Sequence, residues 1–208
     1  MWKTLVLIFL SSSALAHPVT YKGGVAMFSM HRPDSTQLQA NYTLNRHFAI
    51  AASHIRKNFH HDAAEVSLLH ANILAYRRNS AQSQSNIYLS VGGGLNAQTE
   101  ANGFAAIQLD HETDHFYSAF SGQTFGSLAQ FQTPSDLPFS LRGRLGVLPF
   151  APNVDGLQIW AVVQTTWEPH MHQPVEITPM LRFFYQNVLW ETGVSIDGTP
   201  WFQMMVHL

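Results

Sequence analysis

Imidazole and thioether side chains are the first chemistry that this chain offers. His170-Met171-His172 alternates two imidazoles with a thioether in a polar stretch, and His60-His61-Asp62 forms a second short set. Met27 and His31 share one face of an alternating segment near the start, and Met205 and His207 share one face of the last segment. The chain holds 12 His and 7 Met but no Cys. Nitrogen and thioether donors without thiolate suit copper better than calcium or magnesium. Copper-type binding or export is therefore one expectation, with His170, Met171, His172, Met27, His31, Met205 and His207 as candidate ligands. If first and last strands pair, Met27, Met205 and His207 should meet inside. No spacing among them is a defined metal motif, and scattered histidines on loops and a polar face are the plainer account.

A second set carries charge. Arg142, Arg144, Glu176, Arg182, Glu191 and Asp110 fall on the polar face of alternating segments, together with Gln158 and Gln164. Arg182 and Glu191 lie symmetrically about a turn at Gln186-Asn187, so they should be cross-strand neighbours bracing a wall or narrowing a passage. His111-Glu112-Thr113-Asp114-His115 collects acids and imidazoles that could support acid–base hydrolysis, but the segment reads as a solvated turn. A hydrolase needs Ser, His and an acid converging at one place, and the linear order sets up no such convergence.

The elements that must position these residues are strands. Trp201–Leu208 alternates strictly: Phe202, Met204, Val206 and Leu208 on one face, Trp201, Gln203, Met205 and His207 on the other. Phe139–Val147, Leu157–Glu168 and Val175–Tyr185 alternate in the same way. Strands are expected near 22–31, 36–44, 47–57, 64–77, 86–97, 103–112, 115–123, 138–149, 156–168, 174–185, 188–196 and 200–208. Twelve is an even count, as bacterial single-chain barrels require, with ten as the alternative. Trp167, Tyr185, Trp190 and Trp201 fall where an interfacial aromatic girdle would lie. Gly92-Gly93-Gly94 lies inside a strand with no helix after it, so it marks curvature or close packing rather than a phosphate loop. The longest outer connection, Thr124–Leu137, is the candidate for lidding the lumen.

Composition agrees. Charged residues make up 12% of the chain, against roughly 25% in ordinary soluble domains, while 46% are hydrophobic without long apolar runs. A net charge of -2 excludes a typical nucleic-acid binder. Lys3, the apolar Leu5–Leu10 run and Ala14-Leu15-Ala16 read as a secretory signal over 1–16, cleaved to leave a single domain over 17–208 that starts at His17. An N-terminal His can chelate copper through its amine and ring.

Arg182-Phe183-Phe184-Tyr185-Gln186-Asn187-Val188-Leu189-Trp190-Glu191, then Gly193-Val194-Ser195 and the closing strand, resembles the C-terminal hairpins of small Gram-negative outer-membrane β-barrel proteins. Such proteins usually end in Phe, whereas this chain ends in Leu208. The resemblance implies an all-β antiparallel transmembrane barrel in the bacterial outer membrane. It also implies termini on the periplasmic side, contact with membrane lipid and insertion by the barrel-assembly machinery. Twelve-stranded relatives include narrow sugar-acid channels and a phospholipase; neither a His–Ser–Asn motif nor an arginine-dominated lumen is present. The expected role is a monomeric, non-enzymatic narrow channel or plugged envelope barrel. Arg142, Arg144, Gln158, Gln164, Glu176, Arg182 and Glu191 would line the lumen.

Overall fold

The computed structural model describes residues 17–58, 63–127, 139–150, 156–169, 171 and 173–208. Twelve antiparallel strands close into one barrel. They are β1 (Val25–Arg32), β2 (Ser35–Asn45), β3 (Phe48–Asn58), β4 (Ala63–Asn79), β5 (Ser83–Asn96) and β6 (Ala101–Thr113). The second half comprises β7 (Phe116–Ser127), β8 (Phe139–Val147), β9 (Gln158–Trp167), β10 (Val175–Tyr185), β11 (Val188–Val194) and β12 (Pro200–His207). Each strand pairs with its sequence neighbours, and β1 closes the ring on β12 with Met27 opposite Val206 and Phe28 opposite Met205. Closure leaves no unpaired edge, which is what a sheet needs in lipid. The start of β1 at Val25 and the last residue, Leu208, lie at the same end of the barrel.

Alternation along each strand sorts the side chains. Leu38, Ile50, Leu69, Val91, Ile107, Leu145, Val163, Leu181 and Phe202 all point outward and are exposed. Asn41, Asn72, Asn86, Gln164, Thr178 and Glu191 point inward and are buried. The barrel is thus apolar outside and polar inside, the reverse of a soluble sandwich. Trp167 and Tyr185 are exposed on the outer face, but Trp201 is not part of that girdle. It shares the face of Gln203 and Met205, is 1% exposed and packs in the lumen with Met30, Tyr117, Trp160 and Met180.

Three local irregularities shape the wall. A bulge between Leu74 and Tyr76 on β4 inserts one residue, which turns Arg77 inward opposite Asn86. Pairing of β10 with β11 stops at Met180, next to Pro179, which has no N–H to donate. At Gly92 and Gly94 a Cβ would collide with the β4 backbone at Leu69 and Ser67 respectively, so only glycine permits the β4–β5 approach. The loop Thr124–Leu137 falls outside the described residues from position 128 onward.

Candidate channel lumen

The interior contains two ion networks and a cavity that borders the second. At the end opposite the termini, Arg32 on β1 lies 2.8 Å from Glu176 on β10, 2.9 Å from Asp34 and 3.3 Å from Glu168, which follows β9. The Glu176 contact is an ion pair rather than a well-directed hydrogen bond. Lys57 on β3 donates to Glu168 at 2.6 Å. These partners sit on strands that are not neighbours, so the bridges span the bore. Burial pushes the Glu168 carboxyl up, but Lys57, Arg32 and a hydrogen bond from Ser140 outweigh it and hold the group at about 2.

The second network is deeper. Glu191 is fully buried and accepts hydrogen bonds from Arg144 Nη2 and Arg182 Nε, each at 2.6 Å. Register pairs Arg182 directly with Glu191, whereas Arg144 reaches from β8 past β9 and β10. Arg182 also lies over the Tyr117 ring at 4.1 Å, and Arg144 over the Trp201 ring at 5.5 Å. Buried guanidinium needs this combination of carboxylate and aromatic faces to offset lost hydration.

Arg144 of this network also lines a cavity of about 150 Å³ that extends to Pro18 and Tyr88. One wall is mostly amides and hydroxyls, with Gln37, Gln39, Asn41, Asn72, Ser90 and Gln108 beside the Asp110 carboxyl. Gln39 and Asn72 both donate to Asn41 Oδ1 at 2.8 Å, and Ser90 donates to Asn72 Oδ1 at 2.6 Å. The opposite wall presents Arg142 and Arg144. Among the described residues Arg142 has no ion pair; its Nη2 donates to Met30 Sδ at 3.3 Å. Of the two cations that line this cavity, it is the one without a carboxylate partner.

The terminal end is narrowed by residues 17–20. His17 is 9% exposed; its Nδ1 is hydrogen-bonded to Tyr88 OH at 2.9 Å and stands 3.8 Å from Asp110. Val19 packs against Ala49, Leu74 and Tyr88, and Thr20 N donates to Thr43 Oγ1 at 3.1 Å. Burial, then the cations Arg77, His207 and Arg182, lower the His17 ring to about 3, so it is neutral at ordinary pH.

All seven residues placed on the lumen by their alternation point inward. Arg144, Gln164, Glu176, Arg182 and Glu191 are buried, while Arg142 and Gln158 are half-buried. Among the described residues the copper set does not assemble. Met27 is 52% exposed on the outer wall and His31 stacks outside on Phe202, whereas Met205 and His207 face the lumen. The β1–β12 register sets Met27 opposite Val206 rather than Met205, so the two pairs take opposite faces of the wall. Met171 is buried, His170 and His172 lie outside the described residues, and no three His, Cys, Asp or Glu converge among the described residues. The His111–His115 segment is no simple solvated turn either. Asp110 and Glu112 are buried facing the lumen, and His111 is hydrogen-bonded to Ser85.

Strand parity alone could have identified Arg32 and Lys57. Arg77 could not have been found that way, because the bulge before it reverses the parity.

No family model matches the chain, and no curated protein matches it in sequence. Among solved structures the chain is similar to the KdgM porin in complex with disordered oligogalacturonate, with a TM-score of 0.52. It is likewise similar to a second structure of the KdgM porin, with a TM-score of 0.50. Each shows 10% identity over 88% of this chain and 97% of the porin. The chain therefore shares with these porins the closed twelve-stranded antiparallel barrel.

Proposed function

We propose that the protein is a narrow outer-membrane channel for small polar solutes that carry a carboxylate. The observation that carries this reading is the polar cavity inside an apolar-walled closed barrel, with Arg142 lining it and bound to no carboxylate among the described residues. Neutral amides and hydroxyls opposite Arg142 match the hydroxyl groups of a sugar, and the guanidinium matches an acid group. The similar porin is described with oligogalacturonate, an acidic saccharide. Arg32, Lys57, Arg144 and Arg182 all face acids, which leaves Arg142 as the cation of the cavity wall without a carboxylate partner.

In this reading residues 1–16 are a cleaved export signal, insertion uses the barrel-assembly machinery, and the termini lie on the periplasmic side. The barrel acts as a monomer. Residues 17–20 favour a bore that is closed at rest.

The test is planar-bilayer conductance of refolded residues 17–208. The expected result is small discrete steps with anion preference, reduced by galacturonate more than by galactose, and loss of that preference in Arg142→Gln. A folded protein with no conductance, even after removal of residues 17–20, would refute the channel.

A further inference from the structure

The outer wall carries a second arrangement, independent of the lumen. Register sets Ser67 on β4 directly opposite His54 on β3, and Glu65 opposite Arg56. Ser67 Oγ is hydrogen-bonded to His54 Nδ1 at 3.1 Å, and Glu65 Oε1 lies 3.6 Å from His54 Nε2. The carboxylate favours the tautomer with the proton on Nε2, which leaves Nδ1 to accept from the serine hydroxyl. Nucleophile and acid thus face the two different ring nitrogens of the base, with His54 and Glu65 substantially exposed.

What surrounds this trio separates it from other Ser–His contacts of the barrel. Ser53 with His70 is buried in the lumen, and Ser85 with His111 has no carboxylate within ion-pair distance of the ring among the described residues. Ser67 and His54 line an outer groove of about 760 Å³ whose other walls include Met27, Leu38, Leu69, Leu95 and Met204. Along β3 the outer face runs Ile50, Ala52, His54, Arg56, and along β4 it runs Glu65, Ser67, Leu69. The trio therefore sits where the apolar belt gives way to charge. In a bilayer that boundary is the level of the ester linkages, with acyl chains below and headgroups above.

We infer that Ser67, His54 and Glu65 form a lipid-facing acyl-ester hydrolase site whose substrate is a glycerophospholipid, its acyl chain lying in the groove. Ser67 Oγ attacks the ester carbonyl carbon as His54 Nδ1 takes the hydroxyl proton. The bond from the carbonyl carbon to the glycerol oxygen breaks, and His54 returns the proton to that oxygen, releasing a lysophospholipid. Water then attacks the acyl-Ser67 ester with His54 as base, freeing the fatty acid and restoring the serine hydroxyl. Arg56, two residues from His54 on the same outer face, supplies a cation for the headgroup phosphate or the developing oxyanion.

The experiment uses refolded protein in vesicles of phosphatidylethanolamine and phosphatidylglycerol, with free fatty acid measured by mass spectrometry and a fluorophosphonate probe mapped to its residue. Expected are fatty-acid release and labelling of Ser67. Ser67→Ala should abolish both, His54→Ala should lower labelling at least a hundredfold, and Glu65→Gln should lower release about tenfold. Ser85→Ala should leave both unchanged. Heat-modifiable, folded wild-type protein that neither releases fatty acid nor labels at Ser67 would overturn the inference, whatever its conductance.

Discussion

Glu191→Gln isolates the electrostatics of the lumen. The substitution keeps the side-chain shape and removes a charge that two guanidinium groups approach at 2.6 Å. Arg144 borders the cavity and can recruit water once its partner is neutral. Arg182 cannot, because it is buried between Glu191 and the Tyr117 ring. Removing one partner of a buried pair costs about 3–5 kcal/mol, and partial hydration of Arg144 puts this case near the lower end. A cost of about 3 kcal/mol lowers the folded-to-unfolded ratio roughly a hundredfold, at 1.4 kcal/mol per tenfold. The assay is urea unfolding in lipid vesicles, followed by tryptophan fluorescence and by the mobility shift of the folded barrel. A companion variant, Glu191→Leu with Arg144→Met and Arg182→Leu, should come within about 1 kcal/mol of the parent, since replacing a whole buried network with apolar groups is often neutral. If Glu191→Gln shifts stability by less than about 0.5 kcal/mol, the lumen is wet enough to solvate Arg182, and the reasoning from buried charge fails.

Glu168 is held at about 2, below its ordinary 4.5, so its stabilising contribution is complete above 4.5 and is lost as pH falls towards 2. Glu168→Gln should flatten that acid limb in the same unfolding assay, and an unchanged slope would show that the Lys57–Glu168 bridge is not made. For His17 the folded value of about 3 lies below the ordinary 6.5, so docking of the neutral ring is strongest above 6.5 and weakens as pH falls towards 3. Hydrogen-exchange protection of the Thr20 amide should follow this course, and His17→Leu should abolish it; protection independent of pH in the parent would contradict the burial of the ring. Gly94→Val should prevent the mobility shift of the folded barrel, because the β4 backbone at Ser67 and Leu68 fills the space of a Cβ, whereas Gly143→Ala meets nothing within 4 Å and should fold normally.

Strand number, alternation and the Arg182–Glu191 pairing were legible because each depends on a period of two and on a tight turn at Gln186-Asn187. The same period puts Trp201 with Gln203 and Met205 inside, so its assignment to the girdle came from residue type overriding a pattern already visible. Sequence by itself determined which side chains of an unbulged strand share a face, since pleating leaves no freedom once a strand is given. What only the closed barrel decided is which faces meet across the bore and along the wall. Lys57 reaches Glu168, 111 residues away, because the ring brings β3 opposite β9. Met27 and Met205 lie on neighbouring strands yet on opposite sides of the wall, because the β1–β12 register pairs Met27 with Val206. Arg77 turns inward only through an inserted residue, and His54 meets Ser67 only through the β3–β4 register, which pairing fixes and composition does not.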